Sequence, residues 1–159
     1  MGCPPRSEKN WPGLGLRAQA GSALGLGLNF IDPYLQSITS NFDQGANFAI
    51  AGATVEDVTY LSPFTLTYQV KQFMEFHDNV QAQLTTNSGN IRLPASMTFF
   101  GDALCTIAIG GNDFTYGYTK GQTPAQVETY LPLVVSEITI QTIYNYGARN
   151  CCRGDEIEL

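Results

Sequence analysis

The residues best able to do chemistry here lie in Ile109-Gly110-Gly111-Asn112-Asp113-Phe114. An amide N–H₂ beside glycine N–H groups is a donor set that can hold a developing negative charge, the task of an oxyanion hole. Gly-Gly-Asn-Asp is also good turn chemistry, so a plain turn stands as the other reading. A second glycine-bounded segment, Gly45 to Thr54, reads GANFAIAGAT. Both segments fall where loops should leave the carboxyl ends of strands, the place where open α/β sheets bind ligands. The four cysteines, Cys3, Cys105, Cys151 and Cys152, contain no CxxC, which argues against a zinc ribbon or a thioredoxin motif. Cys105 sits in an apolar run and reads as a small buried hydrophobe.

The whole chain narrows the choice. Its 159 residues suit one domain. Eight basic against fourteen acidic side chains give a net charge of −6. That argues against nucleic-acid binding and against a basic membrane-surface protein. Charged residues make up 14% of the chain, where soluble domains carry about 25%. With 43% hydrophobic and 11% aromatic residues, the sequence predicts an unusually apolar surface, covered either by a partner, through hydrophobic self-association, or by more of the fold. No window approaches the ~20 apolar residues of a transmembrane helix, and the first 21 residues hold no apolar run of signal-peptide type.

Several elements must position these segments. Residues 1–17 lack periodicity and read as irregular or disordered, and 18–28 as a short helix. Residues 47–51 suit a strand. Ser62-Pro63 has helix N-cap chemistry. Leu66, Val70, Phe73, His77, Val80 and Leu84 then mark one face of an amphipathic helix running to about residue 84. Residues 104–109, bounded by glycines, read as a buried parallel strand. Thr123-Pro124-Ala125-Gln126 is a capping box. A second long helix follows, with Val127, Leu131, Val134 and Ile138 on one face, a kink at Pro132, and an end near Tyr146 with Gly147 as cap. Helix and strand alternate, which predicts an α/β fold with a parallel sheet.

GANFAIAGAT followed about sixty positions later by IGGNDF resembles the plant GDSL esterase/lipase family, a branch of the SGNH hydrolases. ALGLGLNFIDPYLQS and the stretch from Ala103 to Arg149 continue the likeness. The resemblance covers 18–149, leaving 1–17 as a disordered or irregular N-terminal segment and 150–159 as a non-family acidic tail. It implies a three-layer α/β/α sandwich, present here only in part. It also implies hydrolysis of a small-molecule or lipid ester through an acyl-serine, with no cofactor and no metal. Relatives of this kind are usually secreted. Carried across, the family's glycine maps to Gly52 (Gly45 being the weaker choice) and its asparagine to Asn112, both as oxyanion donors.

The family's Gly-Asp-Ser nucleophile block and its Asp-x-x-His block do not occur in these 159 residues. Ser22 follows Gly21 but lies only thirty residues before Gly52, too close for the family's order. His77, the single histidine, has Met74 three residues before it and falls on the apolar helix face. No nucleophile and no general base are therefore assigned. The chain reads as the anion-stabilising half of a hydrolase, the middle of a larger domain, and inactive alone. The alternative is a non-catalytic binding protein, or an isoform that pairs with a full-length relative. Phe99, Phe100, Phe114, Tyr116 and Tyr118 either line an acyl pocket or pack ordinarily. Arg153-Gly154-Asp155 matches a cell-adhesion tripeptide and reads as a chance occurrence in the tail.

Overall fold

Four short strands, all parallel, form one sheet in the order β2-β1-β3-β4. They are β1 (Gly13–Gly15), β2 (Gly45–Asn47), β3 (Leu104–Ile107) and β4 (Asn150–Arg153). The computed structural model describes residues 13–15, 30–35, 40–55, 63–87, 92–130 and 137–153. Among the described residues, helices lie between β2 and β3 and between β3 and β4 in sequence, so the architecture is α/β, as the alternation predicts.

Two strands fall where the sequence predicts none. β1 lies inside the segment read as irregular, yet it is central, pairing with β2 on one side and β3 on the other. Gly-Leu-Gly carries neither alternation nor β-branched residues, so only its two neighbours can specify it. β4 lies inside the segment read as an acidic tail. Its Asn-Cys-Cys-Arg sequence is too polar and short to signal a strand, and pairing with β3 defines it.

The long helix α1 (Leu66–Thr86) buries Leu66, Gln69, Val70, Gln72, Phe73, Phe76 and Val80. Thr65 is its N-cap, three residues beyond the expected Ser62, which lies outside the described residues. Leu84 belongs to the predicted face but is 38% exposed, whereas Phe76, absent from that face, is fully buried. The helix meets its core mainly through its first four turns.

A five-residue helix, α2 (Thr98–Asp102), delivers Phe99 and Phe100 to that core. Phe76 packs edge-on against Phe42, Phe99 and Phe100, with ring centroids 6.0, 6.3 and 5.7 Å away. Edge-to-face pairs at such spacing add to simple area burial. Phe99 and Phe100 thus pack in the core.

The C-terminal half is more broken than predicted. The capping box forms: the Gln126 N–H donates to Thr123 Oγ1, and the Thr123 N–H donates to Gln126 Oε1 at 2.9 Å. The resulting helix α4 (Pro124–Val127), which follows α3 (Gly111–Thr119), passes at once into a 3₁₀ turn, Glu128–Tyr130. Pro132 disfavours α geometry at the preceding residue, and 3₁₀ turns commonly end helices. Residues 131–136 and the predicted helix over 18–28 lie outside the described residues. Helix α5 (Glu137–Asn145) ends as predicted at Gly147, with φ +98°. The Ala148 N–H donates to the Ile143 carbonyl and the Gly147 N–H to the Tyr144 carbonyl, a Schellman motif. Its flanking Ile143 and Ala148 are both buried.

Candidate oxyanion site

The order β2-β1-β3 places a topological switch between β1 and β3. Ligands of such sheets bind outside the carboxyl ends of the strands at that point. The segments after β2 and β3 leave from this edge, and they carry Gly52 and Asn112 respectively.

After β2 the chain turns sharply. The Ala53 N–H donates to the Ile50 carbonyl at 3.2 Å, closing a four-residue turn with Gly52 in third place at φ +77°. A type II turn reserves that place for glycine, because a Cβ would clash there. The Asn47 side chain accepts the Ala49 N–H at 2.9 Å and stiffens the strand exit. Beyond the turn, Thr54 is fully buried, and its carbonyl accepts the Leu66 N–H at 2.8 Å, tying the loop to the start of α1.

After β3 the chain enters a helix directly. Gly110, at φ +105°, is the N-cap of α3. Asn112 therefore stands in the first turn of a helix rather than in the open loop expected at the strand tip. Its Nδ2 donates to the Ala53 carbonyl at 2.8 Å, across 59 residues of sequence. The next residue, Asp113, is 4% exposed, and its two carboxylate oxygens accept the Val55 N–H at 3.0 and 3.2 Å. Two consecutive side chains of α3 thus clamp residues 53–55. The carboxylate also sits in the first turn of its own helix, where the backbone dipole favours negative charge. The clamp leaves Asn112 one further amide hydrogen beyond that used on Ala53.

The structure brings Gly52 and Asn112 together through Ala53. Gly45 lies instead within β2, paired with Gly13 and buried, away from the strand tip. His77 packs between Phe100 and Tyr146, with ring centroids 4.9 Å away in each case, and its Nδ1 lies 3.0 Å from Asp78 Oδ1. Ser22 falls outside the described residues. Among the aromatics, Tyr118 is 48% exposed and Tyr116 lies under the Lys120 ammonium. Asp113 is a positioning residue that the sequence pattern does not single out. Its only sequence signal is an acidic residue in the first turn of a helix, in a segment whose glycines favour a loop. Among the described residues no group of His, Cys, Asp or Glu is placed to hold a metal ion. Nor is any described helix long and apolar enough to cross a membrane.

A separate cavity of about 670 Å³ runs along α1, lined among others by Tyr34, Phe42, Glu75 and Asn79. Burial pushes the Tyr34 phenol above its usual range, and the Glu75 carboxylate adds to this. A hydrogen bond from Asn79 opposes them.

Fold and site together define an α/β protein with two segments cross-tied at the carboxyl edge of a parallel sheet. The family model described as GDSL-like Lipase/Acylhydrolase matches residues 12–149, so the match takes in β1. The chain belongs to this GDSL family. It is 38% identical over 135 residues to an α-L-fucosidase 3 of Arabidopsis thaliana, covering 78% of this chain and 36% of that one. A GDSL esterase/lipase of the same plant is 38% identical over 135 residues, covering 80% of this chain and 35% of that protein. The GDSL esterase/lipase ACHE of Zea mays is 37% identical over 134 residues, covering 78% of this chain and 34% of that protein. The chain thus spans about a third of the length of the curated relatives it matches. No solved structure matches it.

Proposed function

We propose that the Gly52 backbone N–H and the Asn112 amide form the oxyanion-stabilising half of an ester-hydrolase site. The observation that carries this reading is the 2.8 Å bond from Asn112 Nδ2 to the Ala53 carbonyl. It fixes the amide beside the Gly52 turn at the sheet edge where ligands bind. Donors held in place before reaction cost no reorganisation when charge develops, and each is worth about 2.7–4 kcal/mol in comparable sites.

The same reading makes this chain inactive by itself towards esters. On the topology, a nucleophile between the tips of β2 and β3 would follow β1, and there the sequence reads Leu16-Arg17-Ala18-Gln19. The histidine packs in an aromatic setting on α1. A serine hydroxyl without an adjacent base is a poor nucleophile. The substrate bond is an ester of a small molecule or lipid. The relative named as an α-L-fucosidase makes a glycoside the competing class.

Two measurements test the proposal. A fluorophosphonate probe should leave the purified chain unlabelled, and specific labelling of one serine overturns the inactive reading. In a ¹⁵N-labelled sample titrated with methylphosphonate, a tetrahedral anion, the Gly52 N–H and Asn112 side-chain resonances should shift together. A shift at neither, or at one alone, removes the oxyanion assignment.

A further inference from the structure

We propose that Cys105 and Cys151 are a redox-modification site, forming a disulfide that fastens β4 to β3. The two residues are register partners in adjacent parallel strands. Such neighbours lie about 4.8 Å apart, inside the range of about 4.4–6.8 Å that Cα atoms of a disulfide span. Both are free thiols, Cys105 buried and Cys151 half-buried. Cys152 has Thr106 as its register partner.

The chemistry of the pair is unequal. The thiols share a hydrogen bond that pushes Cys105 up, and burial together with the charge of Cys151 pushes it further. The same bond pulls Cys151 down; burial opposes this, and the Arg149 guanidinium adds to the lowering. Cys151 is thus the thiol of the pair that ionises more readily and the one that solvent can reach. It attacks a sulfur of a low-molecular-weight disulfide such as oxidised glutathione. The S–S bond breaks, and one glutathione leaves as thiolate. Cys105 gives its proton to that thiolate and attacks the Cys151 sulfur, expelling the second glutathione. Two protein thiols are oxidised by two electrons, and one glutathione disulfide is reduced to two glutathiones.

The consequence is mechanical. Among the described strands β4 is at the sheet edge, paired on one side only. Its further tie is the Asn150 side-chain amide on the Gly101 carbonyl at 2.8 Å. A covalent link here closes a loop through α3, α4 and α5.

The test uses the full chain and its Cys152→Ser and Cys151→Ser variants in a glutathione redox buffer. Free thiols are then alkylated and peptides mapped without reduction. The expected result is a Cys105–Cys151 link in the wild type and in Cys152→Ser, lost in Cys151→Ser. Oxidation should raise the unfolding midpoint by about 10 °C, reversibly with dithiothreitol. Separate alkylation of both thiols in Cys152→Ser, or a link from Cys105 to Cys3 or Cys152, overturns the proposal. Cys152→Ser keeps the pair intact, so the outcome does not depend on whether Cys151→Ser folds.

Discussion

Asn112 reaches 59 residues back along the chain to hold the Ala53 carbonyl at 2.8 Å, and Asp113 repeats the reach to the Val55 N–H. The turn that presents Gly52 is therefore shaped from outside by the first turn of α3. Removing the Asn112 amide should act on the fold as well as on the site. Asn112→Ala leaves a part-buried carbonyl unpaired and should lower stability by about 1–3 kcal/mol. Urea unfolding reads this directly. Exchange of the Val55 amide should stay slow, because Asp113 still holds it. A variant as stable as the wild type would show that the bond does not constrain the loop.

Phe76 is the centre of the aromatic core. It is fully buried and within 6.0 Å of the Tyr34, Phe42, Phe48 and Phe100 rings. Phe76→Ala removes that packing and opens a cavity, at an expected cost of about 3–5 kcal/mol. The loss should appear as a lower urea midpoint, or as failure to accumulate folded protein. Phe76→Leu should cost clearly less, since it keeps most of the volume.

Gly147 closes α5 at φ +98°, and a Cβ built there would lie 3.1 Å from Phe100 Cβ. Two penalties coincide, one conformational and one steric. Gly147→Ala should destabilise by more than about 1 kcal/mol. An increase in stability would contradict the Schellman geometry. The control is Gly121→Ala, where φ is +76° but a Cβ meets nothing within 4 Å; there only the conformational penalty applies.

What the sequence made legible follows from how local each signal is. The Thr123–Gln126 capping box and the Gly147 stop are complete within a few residues, and both are present as read. α1 was legible because 3.6-residue periodicity over 21 residues is strong, although its start at Leu66 was not. β1 and β4 were hidden because pairing partners, not side chains, specify them. The same holds at the site. Gly52 and Asn112 could be named by likeness to a family, but Asp113 acts on Val55 at a separation of 58 residues, and no local pattern shows that.

Tyr34 gives the fold a pH dependence whose sign is fixed. Its phenol is raised above the usual range, chiefly by burial and then by the Glu75 carboxylate, against a hydrogen bond from Asn79. The unfolded chain ionises this tyrosine near pH 10, before the folded chain does. Above that pH the unfolded state holds fewer protons, so stability falls as pH rises. The contribution is fully present below about pH 10 and is lost as pH climbs through the higher folded value. Other tyrosines, lysines and cysteines titrate in the same window, so the informative quantity is a difference. Urea midpoints of the wild type and Tyr34→Phe, measured from about pH 8.5 to 11, should diverge with the wild type losing more. Tyr34→Phe keeps the ring against Phe42 and Phe48, at centroid distances of 5.6 and 5.2 Å, so the packing is common to both proteins. Parallel curves across the whole range would show that the phenol ionises alike in both states, and that the buried setting of Tyr34 is not held in solution.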